Sequence, residues 1–307
     1  MKIGVVGVGA VGSATTLALL GRGTAREIVL VDKNVKRAQA VALDMRYGTP
    51  LVPPVDVRAG GRDDLDGADL LIVTAGENEA AGGATDRSDP AGRLRLLEHN
   101  AGVYRELIPG LVAAAPDATI MVVTDPPDPL ADLTRVLAGH DRVFSTGTVL
   151  DSLRFRVHLG DHLGVSPSDI QAFVIGEHGT SEVLLWSSAT AAGVPVLDLL
   201  AEQGQQIRDR VEAEIRYANI NIIEGIGASQ YGIGAVSARL AEAVLRDEQA
   251  VFTVAGYHPE YRVTMSLLSV IGRAGVSQMH QPPMTEQERA ALEASAHTLQ
   301  RAVETIL

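Results

Sequence analysis

Lys2-Ile-Gly-Val-Val-Gly7-Val-Gly9-Ala-Val-Gly12 opens the chain, and an acidic residue, Asp32, stands twenty positions beyond Gly12. A short apolar strand runs directly into G-x-G-x-x-G, and the pattern from Ser13 to Leu20 is helical. In such a turn Gly7 permits the tight reversal and Gly9 lets a pyrophosphate approach the backbone. Gly12 lets helix and strand pack closely. The helix N-terminus then offers free N–H groups and the positive end of its dipole to phosphates. Asp32 closes a second strand, Ile28-Val-Leu-Val-Asp32, where its carboxylate can accept both ribose hydroxyls and repels a 2′-phosphate. Alone, G-x-G-x-x-G is a weak signal that a purely structural glycine turn also satisfies. Set between strand, helix, strand and aspartate, it predicts a dinucleotide site that takes NAD rather than NADP.

Outward from this motif the same rhythm repeats. Apolar strand-like runs recur at Ile3–Val6, Ile28–Val31, Val55–Ala59, Leu70–Thr74, Thr119–Val123 and Val143–Thr146. Helical patterns lie between most of them, at Ala10–Arg22, Val35–Tyr47, Arg93–Ala115 and Leu130–Ala138. Alternation of this kind predicts an α/β fold: a doubly wound, parallel, six-stranded Rossmann sheet with right-handed crossovers. The pattern then changes. A helix (Asp151–Leu163), a strand (Ile170–Ile175), helical stretches at Gln205–Ile226 and Ile233–Arg246, strands at Ala250–Ala255 and Arg262–Ile271, and a helix from Thr285 predict an α+β second domain. Thr285-x-x-Glu288 has the form of a capping box. With no linker evident, the boundary is expected at the Gly147 turn, giving an NAD-binding domain of residues 1–146 and a catalytic domain of residues 147–307.

Composition excludes several classes. The 307 residues suffice for two cores, and 46% hydrophobic with 21% charged residues is a globular balance. A net charge of −12 without any basic run argues against nucleic acid as partner. Zero cysteines exclude disulfides, thiolate nucleophiles and cysteine metal sites. The chain begins in a strand, leaving no room for a targeting peptide, and no apolar run reaches the roughly 18–20 residues of a membrane span. A cytoplasmic protein is expected.

One segment breaks the rhythm. Glu77 to Gly92, ENEAAGGATDRSDPAG, is polar and glycine-rich and follows the fourth strand's Thr74-Ala-Gly76. The carboxyl ends of parallel strands form the ligand crevice, so this loop is expected to hang over the site as a lid, rather than serve as an ordinary surface loop. His178, in Ile175-Gly-Glu-His178-Gly, follows a strand and is flanked by a glycine turn. An imidazole presented there can take and return a proton near neutral pH, given a carboxylate to fix its tautomer. Asp151 and Arg154 share one helix face, so Asp151 can hold His178 while Arg154 takes a carboxylate in bidentate fashion. An isolated D-x-x-R is otherwise a surface ion pair. His158 and His162 are spaced i, i+4, but no third ligand is evident, and no metal is expected.

These residues belong to longer matches. The chain resembles the L-lactate/malate dehydrogenase family along nearly its whole length, and most closely its bacterial L-lactate dehydrogenases. The matching segments include GVGAVGS (7–13), TAG (74–76), RLRLLEHN (93–100), GTVLDSLRFR (147–156), IGEHG (175–179), WSSATAAGVPV (186–196), IIEGIGASQYGIG (222–234) and AVLRDEQAVFTV (243–254). The resemblance implies that His178 is the acid/base paired with Asp151, that Arg154 grips the substrate carboxylate, and that Arg93 polarises the carbonyl when the lid closes. Ser229 is implied to line the substrate pocket. Gly7, Gly9, Val11, Gly12, Asp32, Gly76 and Thr146 are implied to surround NAD. A small 2-keto or 2-hydroxy acid is the implied substrate, and a homo-oligomer, tetramer or dimer, the implied assembly.

Three departures bear on the substrate. The lid is longer than the family's usual one, and the residue that selects the substrate lies within it. Counted back from Arg93 the selector is Arg87, as in malate enzymes, and it demands a second carboxylate. Counted forward from Gly76 it is Glu79, which repels one. Thr124-Asp125-Pro-Pro-Asp stands where the family carries S/T-Asn-Pro-Val-Asp, so a substrate-binding amide becomes a carboxylate that accepts but, ionised, cannot donate. Asp125 is expected to favour the protonated form of a nearby His178 and to oppose an anionic substrate. Gln171 replaces the histidine of the fructose-bisphosphate-regulated members, although Arg156 matches their arginine, so strong bisphosphate activation is not expected. The expected activity is an NAD-dependent L-2-hydroxy acid dehydrogenase of the lactate type. Alternatives are a malate dehydrogenase, a dehydrogenase of altered substrate, or a catalytically lapsed NAD-binding homologue.

Overall fold

A computed structural model describes residues 1–78, 92–200 and 204–307, with residues 92–94 described by backbone alone. Six parallel strands, β1 (Lys2–Val6), β2 (Glu27–Val31), β3 (Asp56–Ala59), β4 (Leu70–Val73), β5 (Thr119–Val122) and β6 (Val143–Ser145), lie in the order 3-2-1-4-5-6. The reversal of winding at β1 and β4 is the switch point where a doubly wound sheet opens its ligand crevice. Helices α1 (Ala10–Arg22), α2 (Val35–Gly48), α3 (Gly92–Ala114) and α4 (Pro127–Ala138) connect strands of this sheet.

Strand side chains alternate between faces, so each apolar run feeds two cores at once. Ile3, Val5, Ile28, Leu30, Leu70 and Ile72 join Leu19 and Leu20 of α1 on one side. Val6, Val29, Leu71 and Val73 join Leu97, Tyr104 and Leu111 of α3 and Leu130 of α4 on the other. This two-sided burial explains why the strands read as continuous apolar runs rather than as alternating ones.

The second half begins with α5 (Val149–Leu163). Here the expected elements are more broken than their patterns suggest. Ile170–Ile175 forms two short strands, Ile170–Gln171 and Val174–Ile175. Gln205–Ile226 divides into two helices, Gly204–Arg216 and Ala218–Ile226, at Tyr217, whose φ of −104° and ψ of 5° leave the helical region. Tyr231–Leu245 forms a further helix whose Val236, Leu240 and Val244 enter the core beneath α1. The sheet itself extends past β6. A hairpin of Ala255–His258 and Val263–Ser266 adds two antiparallel strands, Ala255 pairing with Ser145, so the sheet has eight strands among the described residues rather than the six expected. Thr285 caps the last helix, Glu286–Glu304, with a complete capping box to Glu288.

The glycine turn is sterically closed. Gly7 has φ +93°, and a Cβ there would stand 2.6 Å from the Ala75 nitrogen. A Cβ on Gly12 would overlap the Gly7 carbonyl oxygen and lie 2.8 Å from Thr74 Oγ1. Around Gly9 the same construction meets nothing within 4 Å, so that space is open toward the crevice. Gly12→Ala is therefore expected to cost about 3 kcal/mol through backbone displacement and to weaken NADH binding. Thermal unfolding and a fluorescence titration check this; an unchanged melting temperature with unchanged affinity refutes it.

Candidate active site

The carboxyl ends of β1 and β4 to β6 open into a cavity of about 650 Å³. Gly9, Val11, Gly76 and Thr146 line it from the sheet side. Asp125, His178 and Ser229 line it as well, so residues from both halves of the chain meet in one space. Gly7 and Gly12 shape the turn beneath. Asp32 ends beside it, where its Oδ2 accepts the Val8 N–H at 2.7 Å and its Oδ1 the Asn34 N–H at 2.8 Å.

A dinucleotide fits this half. Gly9 is the N-cap of α1, and no side chain caps the helix, so its first N–H groups face the open space left by the missing Cβ. The Asp32 carboxylate lies where the β2 strand ends, as a ribose requires.

His178 is held from three directions. Its Nδ1 lies 2.6 Å from Asp151 Oδ2. Its backbone N–H donates to Asp128 Oδ2 at 2.8 Å, and Asp128 Oδ1 accepts the Ser145 hydroxyl at 2.6 Å. The loop that carries it is pinned by Gly176, which exchanges backbone hydrogen bonds with Ser266, and by Glu177, whose N–H donates to Ser295 Oγ. Nε2 points into the cavity, 3.9 Å from Asp125 Oδ1.

Arg154 sits one helical turn after Asp151. Its Nη1 donates to Asp151 Oδ1 at 2.8 Å and its Nη2 to Asn219 Oδ1. Asp151 thus divides its two oxygens between the histidine and the arginine. Burial works to raise its carboxyl, with only 2% of the side chain exposed, but the charges and hydrogen bonds of His178 and Arg154 prevail and hold it below the ordinary carboxylate range. It is therefore an anion at neutral pH, as a partner for an imidazolium must be.

Two further carboxyls were not legible as site residues. Burial pushes Asp128 up to about 6, against the hydrogen bonds it accepts from His178 and Ser145. Burial, reinforced by the Asp151 charge, pushes Glu182 up to about 8, so it is mainly protonated at pH 7. Asn100 is fully buried in α3. Its side chain accepts the Glu77 N–H and donates to the Glu77 and Asp125 carbonyls, tying the end of the segment after β4 to the Asp125 loop. The motif RLRLLEHN contains Asn100, but its final residue carried no spacing signal.

Arg87 and Glu79, the two candidate selectors, lie outside the described residues, as do most of the segment expected to form a lid and the Arg93 side chain. Arg156 points away from the cavity, donating from Nε to the Ala172 carbonyl and stacking over Phe173. His158 pairs with Glu214 at 3.0 Å.

Comparison with known proteins gives a consistent result. Residues 1–144 match the family model described as lactate/malate dehydrogenase, NAD binding domain, and residues 148–307 its alpha/beta C-terminal domain. The chain is 46% identical over 303 residues to an L-lactate dehydrogenase of Deinococcus radiodurans, covering 97% of each. It is 43% identical to that of Thermus aquaticus, covering all of this chain and 99% of the relative. Among solved structures, the minor L-lactate dehydrogenase from Enterococcus mundtii in its ligand-bound form superposes with a TM-score of 0.92 at 31% identity, covering 100% of this chain and 98% of that one.

Proposed function

Because this chain belongs to the lactate/malate dehydrogenase family, whose members are NAD-dependent oxidoreductases, we propose that it interconverts a small 2-keto acid and its L-2-hydroxy acid, with pyruvate and L-lactate as the pair. The observation that supports this most strongly is the shared cavity. His178 and Gly9 of the glycine turn line it together with Asn219, while Asp151 and Arg154 stand behind that lining, Asp151 holding the imidazole and Arg154 holding Asn219.

Bound NADH supplies the hydride that adds to the keto carbon. His178 holds a proton on Nε2 and gives it to the carbonyl oxygen as charge develops there, leaving a neutral ring; in the oxidative direction it takes that proton back. Asp151 fixes the ring by its Nδ1 contact and balances the imidazolium. Arg154 takes the substrate carboxylate, its guanidinium already oriented by Asp151 and Asn219. Arg93 polarises the carbonyl, Ser229 bounds the pocket, and Arg87 or Glu79 selects the substrate side chain. Gly7, Gly9, Val11, Gly12, Asp32, Gly76 and Thr146 hold the dinucleotide, and Asp125 borders the reacting carbonyl.

The same reading divides the chain into a dinucleotide half, 1–146, and a substrate half, 147–307, and makes the protein cytoplasmic and oligomeric, as a dimer or tetramer. Exposed apolar side chains on α2 and after it, Val35, Leu43, Tyr47 and Leu51, support burial against another copy. No helix among the described residues is long and apolar enough to cross a membrane.

Steady-state kinetics with NADH against pyruvate, oxaloacetate and longer 2-keto acids test the substrate. Pyruvate is expected to give the highest kcat/KM. Oxaloacetate preferred by more than about tenfold, roughly 1.4 kcal/mol of differential transition-state binding, replaces this reading with the malate one.

A further inference from the structure

His178 faces a carboxylate on each side of its ring. Asp151 Oδ2 lies 2.6 Å from Nδ1, and Asp125 Oδ1 lies 3.9 Å from Nε2. The second distance is too long for a hydrogen bond but short enough for an opposite charge to favour the protonated ring. Both groups are sheltered, the imidazole 16% and the Asp125 side chain 18% exposed, so solvent screens the pair only in part.

We infer that Asp125 is a second carboxylate partner of His178, which keeps the proton on the imidazole at a higher pH than Asp151 alone would. This rests on the reading of His178 as the proton carrier and deepens it. With both carboxylates in place, the ring stays charged and ready to protonate a ketone in mildly alkaline solution, and reduction is favoured over oxidation there. In this role, which is separate from its place beside the carbonyl, Asp125 acts through His178 as a positioning residue.

Among the described residues, further charged groups stand around the ring. Arg154 and Asp151 face it from α5. Asp128 faces it from α4, and Glu177 and Glu182 flank it on its own loop. Glu77 lines the same cavity from the start of the lid. Arg154 opposes the protonated ring and the ionised carboxylates favour it, whereas Glu182, pushed up to about 8 by burial, adds charge only in alkaline solution. Asp125→Asn removes the Asp125 charge and leaves the side chains of these described groups in place.

The test is a titration of the cofactor-free protein with ring-¹⁵N-labelled histidine, the His178 resonance being identified by its loss in His178→Asn. The midpoint in Asp125→Asn is expected about one pH unit below that of the parent. Asp125→Ser, smaller and equally neutral, is expected to give the same displacement, and it keeps the test valid if the asparagine variant folds poorly. In parallel, the alkaline limb of kcat/KM for pyruvate reduction should move down by the same amount in both variants. Midpoints that agree with the parent within roughly 0.3 unit overturn the inference, whatever happens to turnover. A uniform gain with pyruvate at every pH, without displacement of the His178 midpoint, overturns it as well and assigns Asp125 to substrate contact alone. A displaced midpoint with an unmoved alkaline limb upholds the Asp125–His178 pairing and instead refutes His178 as the proton carrier.

Discussion

Replacing His178 by asparagine is expected to lower kcat for pyruvate reduction by about 10³-fold while leaving NADH affinity within twofold of the parent. Asparagine keeps a polar side chain of similar reach and can still donate a hydrogen bond toward Asp151. It cannot release a proton to the developing alkoxide. The loss therefore falls on the chemical step, and it should appear in kcat and kcat/KM together rather than in KM. Dinucleotide binding should survive, because the glycine turn and Asp32 belong to other elements and the loop carrying residue 178 is pinned by Gly176–Ser266 and Glu177–Ser295. A fluorescence titration with NADH and a single-turnover measurement separate the two. A variant that keeps more than a tenth of parental kcat removes His178 from its proposed role.

How much of this was legible depended on whether the physical cause was local. The G-x-G-x-x-G turn was, because its constraint is a steric one between near neighbours: the Gly12 hydrogen faces the Gly7 carbonyl, and no other residue fits. The six parallel strands were legible because burial on both faces demands unbroken apolar runs such as Leu70-Leu-Ile-Val73. The added hairpin was not. Ala255–His258 is recruited to the sheet edge by pairing of Ala255 with Ser145, more than a hundred residues away, and no local pattern encodes that choice. Likewise the break at Tyr217 lies inside a run whose helical periodicity continues on both sides.

In the site, the residues on motifs were legible and their supports were not. His178, Asp151 and Arg154 announced themselves by glycine flanks and helical spacing, and they do meet. Asp128 and Asn100 end quoted motifs and Glu182 follows a polar turn, so nothing in their local pattern sets them apart. What marks them is burial, which only the assembled chain creates: Asp128 carries the His178 backbone, and Asn100 joins Glu77 to Asp125. Asp125 was visible as a departure from the family pattern, and its approach to Nε2 gives that departure a physical consequence.

Arg154→Lys is expected to lower kcat/KM for 2-keto acids by about 10²–10³-fold, a change of roughly 3–4 kcal/mol. The charge is retained, so the loss measures geometry. Two parallel charge-assisted hydrogen bonds to a carboxylate need a planar fork, and an ammonium supplies a point. In the proposed role Arg154 would meet its substrate already ordered: Asp151 and Asn219 each hold one Nη, so little side-chain freedom remains to be lost on binding. Lysine cannot engage both at once, and Asp151 is then freer to turn on His178. KM should rise most, with a smaller fall in kcat from the loosened imidazole, and binding of NADH alone should be unaffected. The comparison with Asn219→Ala sharpens this. Removing that anchor leaves the guanidinium in place but less confined, so its effect should run in the same direction and stay well below that of Arg154→Lys. If the lysine variant keeps parental KM for pyruvate, the substrate carboxylate is bound elsewhere, and the orientation of the reactant in the cavity must be reversed.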